Sequence, residues 1–595
     1  FAGAEPLTLT WNGGATGNLS TGPWSGGAGD HQTPQNGDTL VFSTGGTFTS
    51  DIAGLQVAAL QFASASAVTL SGSEAIVILA GGSVTSTAAG KATVSAPLVS
   101  GETATDAGIT IAASSGFTLE ITGVLSGAAP ITVGASNGTV AFKGANTFTG
   151  VLTVNNGLFT AEGANALGAV GTERHQFVTG NGKGKAKVTL NGVTLDRPLA
   201  ITAGNSSQET TWSGTCTFKK PVTVTGSPAW IVSNWATITF SDTLSISGTA
   251  QVQVYTGAKV VVNGTGNYFG YNNFAVTGTF EINNPIEVNG WNGKSIRYSA
   301  SKGTYKFGCD NALFCQDEGN PSGALIINLE SGVNNCVFDL NGHDQRVLCI
   351  RDTPQLASNV IKSDSTSCTL HLMQQTSKTT HPELAMSDVA ATFTGKVNLS
   401  VEGADPLILK SANTSTGSLV LTNQADVSFG ESGSWAGGKV VIAGGSALKL
   451  DKVGNLTAAN LDIELVDEVT GGGTLCSKLT IPPEGLTVPI RINGEPVAAG
   501  TWGATGSGAE HVDDDHFAGT GTAFVWPDGR TAATWNAGAG ANESLSADAN
   551  WVGGKAPNLT SGETVASFAT DGANAVVGSD VSLGEIKFEG AATTF

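Results

Sequence analysis

Short apolar strands separated by glycine, asparagine or serine recur along this chain at intervals of about 15–25 residues. Examples are TLVF at 39–42, ALQF at 59–62, TVAF at 139–142 and KVTL at 187–190. Hairpin-based folds place their strands about 8–12 residues apart, whereas one coil of a solenoid takes about 20 residues or more. The spacing therefore predicts an all-β fold, a right-handed parallel β-helix. Tandem β-sandwiches are the alternative, but the Pro-rich linkers that they need are not found in the sequence.

The composition supports an all-β chain and argues against some classes of partner. Of the 595 residues, 81 are glycine, 2 are methionine and 13% are charged, about half the usual charged fraction. The formal net charge of −20 argues against nucleic acid, whose binding requires clustered Lys and Arg, and against docking on anionic lipid. Because no run of about 18 or more apolar residues occurs, we expect no membrane insertion.

One segment combines two strands and two turns, FKGANTFTGVLTVNNGLFTAEGANALG at 142–168. Leu152 and Val154 alternate with more polar neighbours, as in a strand with one buried face. Asn146 and Gly150 are interpreted as turn residues, because both types tolerate tight turns. The segment therefore has the layout of one solenoid coil.

A second copy of this motif lies at 407–430, in LILKSANTSTGSLVLTNQADVSFG. Asn413, Gly417 and Leu419 match residues of the first copy, while Ser415 replaces its aromatic residue. The turn after the second strand also differs between the two copies.

The segment 142–168 resembles the autotransporter-associated β-strand repeat, a motif of secreted and surface-exposed bacterial passenger regions. The usual pattern is an apolar strand, then G-A-N-T-Y-T-G, an alternating strand and an N-x-G turn. The resemblance implies a right-handed parallel β-helix at the bacterial cell surface, with a load-carrying or adhesive role. The FAGAEP start is also similar to a signal-peptidase site at Ala2, Gly3 and Ala4, from which we expect a secreted, processed chain.

The largest internal repeat relates the two ends of the chain. TWNGGATGNLSTGPW at 10–24 recurs loosely as TWNAGAGANESLSADANW at 534–551. Further along, GDTLVF recurs as GETVASF, and AALQF at 58–62 recurs as GEIKF at 584–588. We therefore interpret 532–595 as the start of a second copy of the N-terminal module.

Changes in residue composition divide the rest of the chain into parts. Pro482 and Pro483 are incompatible with a central parallel strand, so we expect a small hairpin-like cap around them. The predicted parts are N-terminal β-helix coils with the first motif at 1–204, a central β-helix with aromatic and Asn-rich insertions and a cysteine cluster at 205–380, C-terminal coils with the second motif at 381–479, the cap at 480–531 and the restarted module at 532–595.

Seven cysteines are present, five of them between residues 309 and 368. Some are spaced by about one coil, and adjacent coils lie about 4.8 Å apart, so a disulfide staple is one interpretation. Buried free thiols are the equal alternative. Because no C-x-x-C pair occurs, the pattern argues against a zinc site.

The best candidate for catalysis is a group of charges on one predicted coil: Asp339, Asp344, Arg346 and Arg351. Polysaccharide-active β-helix enzymes need such charges on one face, but charges at a coil edge usually keep a chain soluble, and we interpret these four in that way. No HExxH, GxSxG or phosphate-loop motif is present.

Two further groups are candidates for binding. The first is an acidic run that could hold calcium: Asp513, Asp514 and Asp515. Consecutive side chains point in different directions, so an exposed loop tip is predicted there. The second is a set of aromatic residues that could stack on sugars, Trp230, Trp235 and Trp291, which we interpret as packing residues of the core or of insertions. The sequence thus predicts no catalytic, cofactor-binding or metal-binding residues and no cofactor.

These features predict an extracellular structural protein that assembles head to tail into a filament or surface matrix. We expect 532–595 of one copy to meet the N-terminal region of the next, because an open solenoid edge can extend the ladder of another copy. A glycan- or host-binding surface adhesin is the first alternative, with surface glycans as partners. A β-helix enzyme acting on polysaccharides is the second.

Overall fold

The protein is almost entirely β-structure and divides into two compact units, Phe1–Gly323 and Ala324–Phe595. The only helical element among the described residues is a short 3-10 turn, Val453–Asn455. No helix in this part of the chain is long and apolar enough to cross a membrane. The computed structural model describes residues 5–26, 31–88, 90–101, 103–134, 138–155, 158–179, 187–203, 209–226, 229–232, 234–247, 251–270, 273–288, 296–297, 303–314, 325–329, 335–352, 358–373, 388–403, 405–458, 460–525, 533–534, 565–568 and 585–588.

The first unit is built from three sheets whose strands are almost all parallel. The strands of the first sheet are Thr8–Trp11, Trp24–Ser25, Thr39–Phe42, Gln56–Phe62, Ile76–Ser86, Leu98–Val99, Ile109–Ala113, Leu125–Ser126, Ile131–Gly134, Leu152–Asn155, His175–Thr179, Leu199–Ala203, Val222–Gly226, Leu244–Ile246, Asn267–Phe269, Ile286–Val288 and Leu313–Phe314. Those of the second sheet are Thr16–Asn18, Gly46–Thr49, Val68–Ser71, Lys91–Val94, Thr118–Ile121, Thr139–Phe142, Leu158–Glu162, Lys187–Asn191, Glu209–Ser213, Ala229–Val232, Gln251–Val254 and Asn273–Val276. Those of the third are Thr194–Leu195, Thr215–Phe218, Thr237–Phe240, Lys259–Val262, Thr279–Ile282, Ile296–Arg297 and Thr304–Phe307.

The second unit repeats this architecture with its own parallel strands. Its larger sheet contains Leu325–Leu329, Val337–Asp339, Gln345–Asp352, Val360–Leu372, Thr392–Glu402, Leu419–Thr422, Lys439–Ala443, Asp462–Val466, Ile490–Ile492 and Glu495–Pro496. A six-stranded sheet contains Asp388–Val389, Pro406–Leu409, Asp426–Phe429, Ala447–Lys449, Lys478–Ile481 and Phe517–Gly519. The smaller sheets contain Ala412–Asn413 with Ser434–Trp435, Glu468–Thr470 with Gly473–Leu475, the four strands Leu486–Thr487, Gly500–Gly503, His511–Val512 and Ala523–Val525, and the three strands Ala533–Thr534, Val565–Phe568 and Glu585–Phe588.

The predicted parallel β-solenoid is confirmed, as one coil of the first motif illustrates. Leu152–Asn155 lies between Ile131–Gly134 and His175–Thr179 and pairs with both in parallel. Its first and third residues, Leu and Val, are buried, while the second and fourth are half-buried. Alternation thus places one apolar row inside each coil, and stacked rows form the core. This parallel stacking excludes the tandem sandwiches, whereas the hand of the coil stays a prediction.

Asn146 lies in the segment between two strands, where its N–H donates to the Gly144 carbonyl at 2.9 Å, and its side chain is a buried clamp between coils. The residue is 1% exposed. Its Oδ1 accepts a hydrogen bond from the Leu125 N–H at 2.9 Å, and its Nδ2 donates to the Ala166 carbonyl at 2.8 Å. Asn413 makes the equivalent bonds at 2.8 and 2.9 Å. An amide side chain offers both a donor and an acceptor, so it joins the coils before and after its own.

The glycine of the motif is also explained by contact between coils rather than by an unusual turn. A Cβ on Gly150 would lie 2.0 Å from the carbonyl oxygen of Ala129, and one on Gly417 would lie 2.2 Å from that of Val397. Neither glycine has a positive φ. Both copies therefore use glycine because the backbone of the preceding coil leaves no room for a side chain.

His175 sits inside the coil that follows the first motif and has a structural role. The Leu152 N–H donates to its Nδ1 at 3.0 Å, and its Nε2 faces the Leu167 carbonyl at 3.0 Å. Burial, reinforced by the charge of Arg197, lowers the pKa of His175 to about 3. The ring is therefore neutral at ordinary pH, with the proton on Nε2.

An aromatic cluster fills the first coils of the first unit. Trp11 and Trp24 are 1% and 3% exposed, and their ring centroids lie 5.1 Å apart. Phe48 is 4.9 Å from Trp11, and Phe42 is 5.0 Å from Phe48. The segment Trp24–Ser25 also pairs antiparallel with the first strand of the first sheet. Large rings therefore fill the core of these first coils.

The small cap predicted from the prolines is present in the second unit. Ile490–Ile492 pairs antiparallel with Glu495–Pro496, and Gly500–Gly503 pairs antiparallel with Ala523–Val525. The two prolines follow directly after Lys478–Ile481, outside any strand. The predicted part boundary at 479 falls within that strand, and those at 204, 380 and 531 lie outside the described residues.

Three strands of the predicted restarted module are described, and they repeat an earlier pairing. Val565–Phe568 pairs in parallel with Glu585–Phe588, and their last residues, both Phe, are opposite each other. In the first unit, Thr39–Phe42 pairs with the 59–62 part of a longer strand, again with Phe opposite Phe. The recurring sequences therefore form the same ladder in the same register. The rest of 532–595 lies outside the described residues.

Five cysteines are described, and none of these five forms a disulfide: Cys216, Cys309, Cys336, Cys368 and Cys476. For these residues the disulfide interpretation is wrong. Burial raises the pKa of the Cys336 thiol to about 12, as expected for an inert core thiol. Cys315 and the side chain of Cys349 lie outside the described residues.

Candidate functional site

Three residues with different ligand chemistry converge beside the cap: Asp467, Cys476 and His516. Their carboxylate oxygen, thiol sulfur and ring nitrogen all lie within 4.8 Å of one another. Within the described part of the chain, no other group of three such residues comes this close. We name these three residues the cap cluster.

Two turns of the fold bring the cap cluster together. Asp467 follows the strand Asp462–Val466, and a short hairpin, Glu468–Thr470 with Gly473–Leu475, returns the chain so that Cys476 comes next to it. His516 arrives from the following coil, because the strand after it, Phe517–Gly519, pairs in parallel with the strand after Cys476. Local and long-range pairing are thus both needed to form the cluster.

Hydrogen bonds orient the imidazole of His516 from both sides. Its Nδ1 lies 2.7 Å from an Asp513 carboxylate oxygen, and its Nε2 lies 3.1 Å from Oδ2 of Asp467. Asp467 is itself held by the Asn493 side-chain amide at 2.9 Å and by the Ser477 N–H at 3.2 Å. The side chains of His516 and Asp467 are 13% and 11% exposed, so the cluster is half-buried but reachable.

The electrostatics of the cluster do not favour a nucleophilic thiol. Burial disfavours the charged imidazole, but hydrogen bonds with Asp513 and Asp467 outweigh it and raise the pKa of His516. Burial and then the charges of Asp467, Asp515 and Asp513 raise the pKa of Cys476. A catalytic cysteine requires a lowered pKa, so this thiol is poorly suited to nucleophilic catalysis.

The acidic run at 513–515 points in different directions, as its sequence suggested. Asp513 faces His516, whereas Asp514 accepts hydrogen bonds from the N–H and hydroxyl of Thr505 at 2.7 and 2.6 Å. Sequence reasoning missed the pairing of Asp513 with His516. The DxxH spacing within HVDDDHF was the one local signal that could have indicated it.

The charges weighed as catalytic candidates bind turns and neighbouring strands. Asp339 accepts a hydrogen bond from the Asn341 N–H at 3.0 Å, and Asp344 accepts one from the Thr369 N–H at 2.6 Å. Arg346 lies 4.0 Å from a Glu402 oxygen. The side chain of Arg351 lies outside the described residues. Each of the two carboxylates therefore accepts a hydrogen bond from the backbone, one at a turn and one from a neighbouring strand.

Trp235 was interpreted as a packing residue, and that interpretation is wrong. Its side chain is 79% exposed, and its backbone has a φ of 61°. A Cβ on Gly257, in the next coil, would lie 2.7 Å from the indole ring, so the ring lies flat against this glycine. The side chain of Trp230 and all of Trp291 lie outside the described residues.

Comparison of this chain with protein-family models, with curated proteins and with solved structures finds no match. The resemblance of 142–168 to the autotransporter-associated repeat therefore stays a prediction from those residues.

Proposed function

We propose that this protein is an extracellular structural protein of the bacterial surface, whose copies assemble head to tail into a filament or matrix. The observation that carries the proposal is the repeated ladder, in which Val565–Phe568 and Glu585–Phe588 reproduce the pairing of the first coils. The low charged content and the repetitive coils suit a load-carrying role more than a shaped active site.

The strand pair at 565–568 and 585–588 repeats the pair at 39–42 and 59–62, so it is expected to be stabilised by a following coil in the same way. In the first unit, Gln56–Phe62 is continued by Ile76–Ser86 on its other side. A single ladder of this kind cannot bury its apolar face alone, because solenoid coils are stabilised by stacking on neighbours. A coil from a second copy of the chain would continue this ladder in the register seen in the first unit.

The first coils of the protein offer a backbone edge to such a neighbour. Among the described strands of the second sheet, Thr16–Asn18 is the outermost, and it pairs with Gly46–Thr49. Its residues Thr16 and Asn18 are exposed. Edge strands of this kind extend by pairing with another chain, and a head-to-tail contact of unlike surfaces generates filaments rather than closed rings.

We expect assembly to depend on both ends of the chain. The full chain should form regular fibres visible by negative-stain electron microscopy, and deletion of 532–595 should leave monomers. Thr16→Lys should also block assembly, because a charged side chain on an edge strand opposes pairing. The measurement is sedimentation velocity combined with microscopy at near-neutral pH.

The matched control is Thr110→Lys, since Thr110 is an equally exposed threonine on a strand paired on both sides. Fibres should form normally in this variant. Monomers at every concentration of the full chain, or unchanged fibres after the deletion, would contradict the proposal.

The second candidate function is a glycan-binding adhesin, and the exposed Trp235 is the observation that favours it. An indole ring held flat against a glycine presents its other face to solvent, which is the arrangement that stacks on sugar rings. Tyr255 is a further partly exposed aromatic residue, 38% exposed. Tyr255 lies two residues before Gly257 in the chain, and we name the side chains of Trp235 and Tyr255 the candidate sugar surface.

If this surface binds glycans, Trp235→Ala should weaken binding on a glycan array by about tenfold, as expected for the loss of one stacked ring. Val170→Ala is the control, because Val170 is 67% exposed and not part of this surface. Equal binding by the two variants would remove the adhesin from consideration.

A further inference from the structure

We propose that the cap cluster, Asp467, Cys476 and His516, binds a divalent transition metal ion, with zinc as the best fit. One oxygen, one sulfur and one imidazole nitrogen form a mixed donor set that zinc accepts, whereas calcium and magnesium take oxygen ligands. The inference concerns the cap itself and does not depend on head-to-tail assembly.

The spacing of the donor atoms suits a small tetrahedral ion. With bonds of about 2.0–2.2 Å, two ligand atoms of tetrahedral zinc lie about 3.3 Å apart, and a thiolate lies slightly further away. The His516 nitrogen and the Asp467 oxygen are already 3.1 Å apart, and all three donor atoms lie within 4.8 Å. A small inward movement of Cys476 completes three tetrahedral positions, and water can fill the fourth.

Neighbouring residues hold two of the candidate ligands in place by hydrogen bonds, as they do around zinc sites in general. Asp513 lies 2.7 Å from Nδ1 of His516, which directs the other ring nitrogen towards Asp467. A carboxylate behind a histidine ligand fixes the tautomer and makes the ligating nitrogen more basic. Asn493 and Ser477 hold the Asp467 carboxylate in the same way, at 2.9 and 3.2 Å.

The local charge also favours a cation. The carboxylates of Asp467, Asp513 and Asp515 all act electrostatically on the Cys476 thiol, and Lys478 is the cation that opposes them. A divalent ion would offset these negative charges and bind the thiolate and the neutral imidazole directly. Binding therefore releases the Cys476 proton, and any proton on Nε2 of His516, to the solvent.

A metal ion at this position would join segments of the cap that are far apart in the chain. His516 and Asp467 are separated by 49 residues, and Cys476 follows an exposed hairpin. The ion would fix the base of this hairpin to the last coils of the second unit. The three candidate ligands come from separate turns, so no C-x-x-C pair marks them in the sequence.

The test is titration of the metal-free full chain with Co²⁺ and then with Zn²⁺. We expect one Co²⁺ per chain, with a near-ultraviolet charge-transfer band from the Cys476 thiolate and visible bands of a tetrahedral ion, both removed by one equivalent of Zn²⁺. Cys476→Ser should abolish the charge-transfer band and weaken Zn²⁺ binding at least about 100-fold. Asp513→Asn should weaken it by about 10–100-fold, the usual effect of losing such a supporting carboxylate.

Two variants serve as matched controls. Cys309→Ser changes another half-buried cysteine, and His511→Gln changes a second histidine of the cap, whose ring stacks on Trp502. Both should bind Zn²⁺ as the unaltered chain does. Absence of saturable binding at one ion per chain, or a Co²⁺ spectrum unchanged by Cys476→Ser, would overturn the proposal. The spectrum of the unaltered chain decides the question even where a variant fails to fold.

Discussion

Replacing Asn146 with alanine is expected to lower the free energy of unfolding of the first unit by about 2–6 kcal/mol. The substitution removes the acceptor of the Leu125 N–H and the donor to the Ala166 carbonyl. Both groups are buried between coils, where water cannot easily replace the lost partner. Each unsatisfied group costs about 1–3 kcal/mol, so the loss of both partners produces a large effect for the removal of one amide group.

Denaturant unfolding of the full chain, followed by circular dichroism, measures this effect. Asn165→Ala is the control, because Asn165 is exposed and lies close by in the chain, and it should change stability by less than about 0.5 kcal/mol. Asn413→Ala should reproduce the loss in the second unit, since its two hydrogen bonds are equivalent. Equal stability of Asn146→Ala and Asn165→Ala would show that the clamp is not needed.

Gly150→Ala is expected to destabilise the first unit by at least about 3 kcal/mol, the upper end of the usual cost of overpacking. The added methyl group would lie 2.0 Å from the Ala129 carbonyl oxygen and 2.6 Å from its carbonyl carbon. These atoms belong to the backbone of the preceding coil, so a side-chain rotation cannot relieve the contact. The coils must separate locally, and the hydrogen bonds around the motif must lengthen.

Gly14→Ala is the matched control for this substitution. Gly14 lies in the same unit, and a Cβ there would meet no heavy atom within 4 Å. We expect a change of less than about 0.5 kcal/mol for Gly14→Ala in the same thermal or denaturant unfolding experiment. A loss below about 1 kcal/mol for Gly150→Ala would mean that the coils can move apart with little cost.

The fold class could be predicted because solenoid coils leave a periodic record in the sequence. Leu152 and Val154 alternate with half-buried residues, and similar strands recur at coil-length intervals. The repeated ladder at 565–568 and 585–588 was also visible as GETVASF and GEIKF. Period and spacing are local properties, so they do not require knowledge of what packs against each strand.

The reasons for individual residues could not be predicted in the same way. The sequence marked Asn146 and Gly150 as turn residues, but their contacts with other coils became visible only in the structure. Trp235 was predicted to be packed, yet it is 79% exposed. Residue type limits what a side chain can do, while its position on the coil decides which of those possibilities is used.

The cap cluster shows this division most clearly. By itself the sequence determined a long parallel solenoid with a proline-marked cap, because strand period, turn residues and coil spacing are written in consecutive residues. Only the tertiary structure decided that Asp467, Cys476 and His516 share one place. Their approach depends on a hairpin that reverses the chain and on parallel pairing of Phe517–Gly519 with another coil. Such contacts join residues far apart in the chain, and no local pattern specifies them.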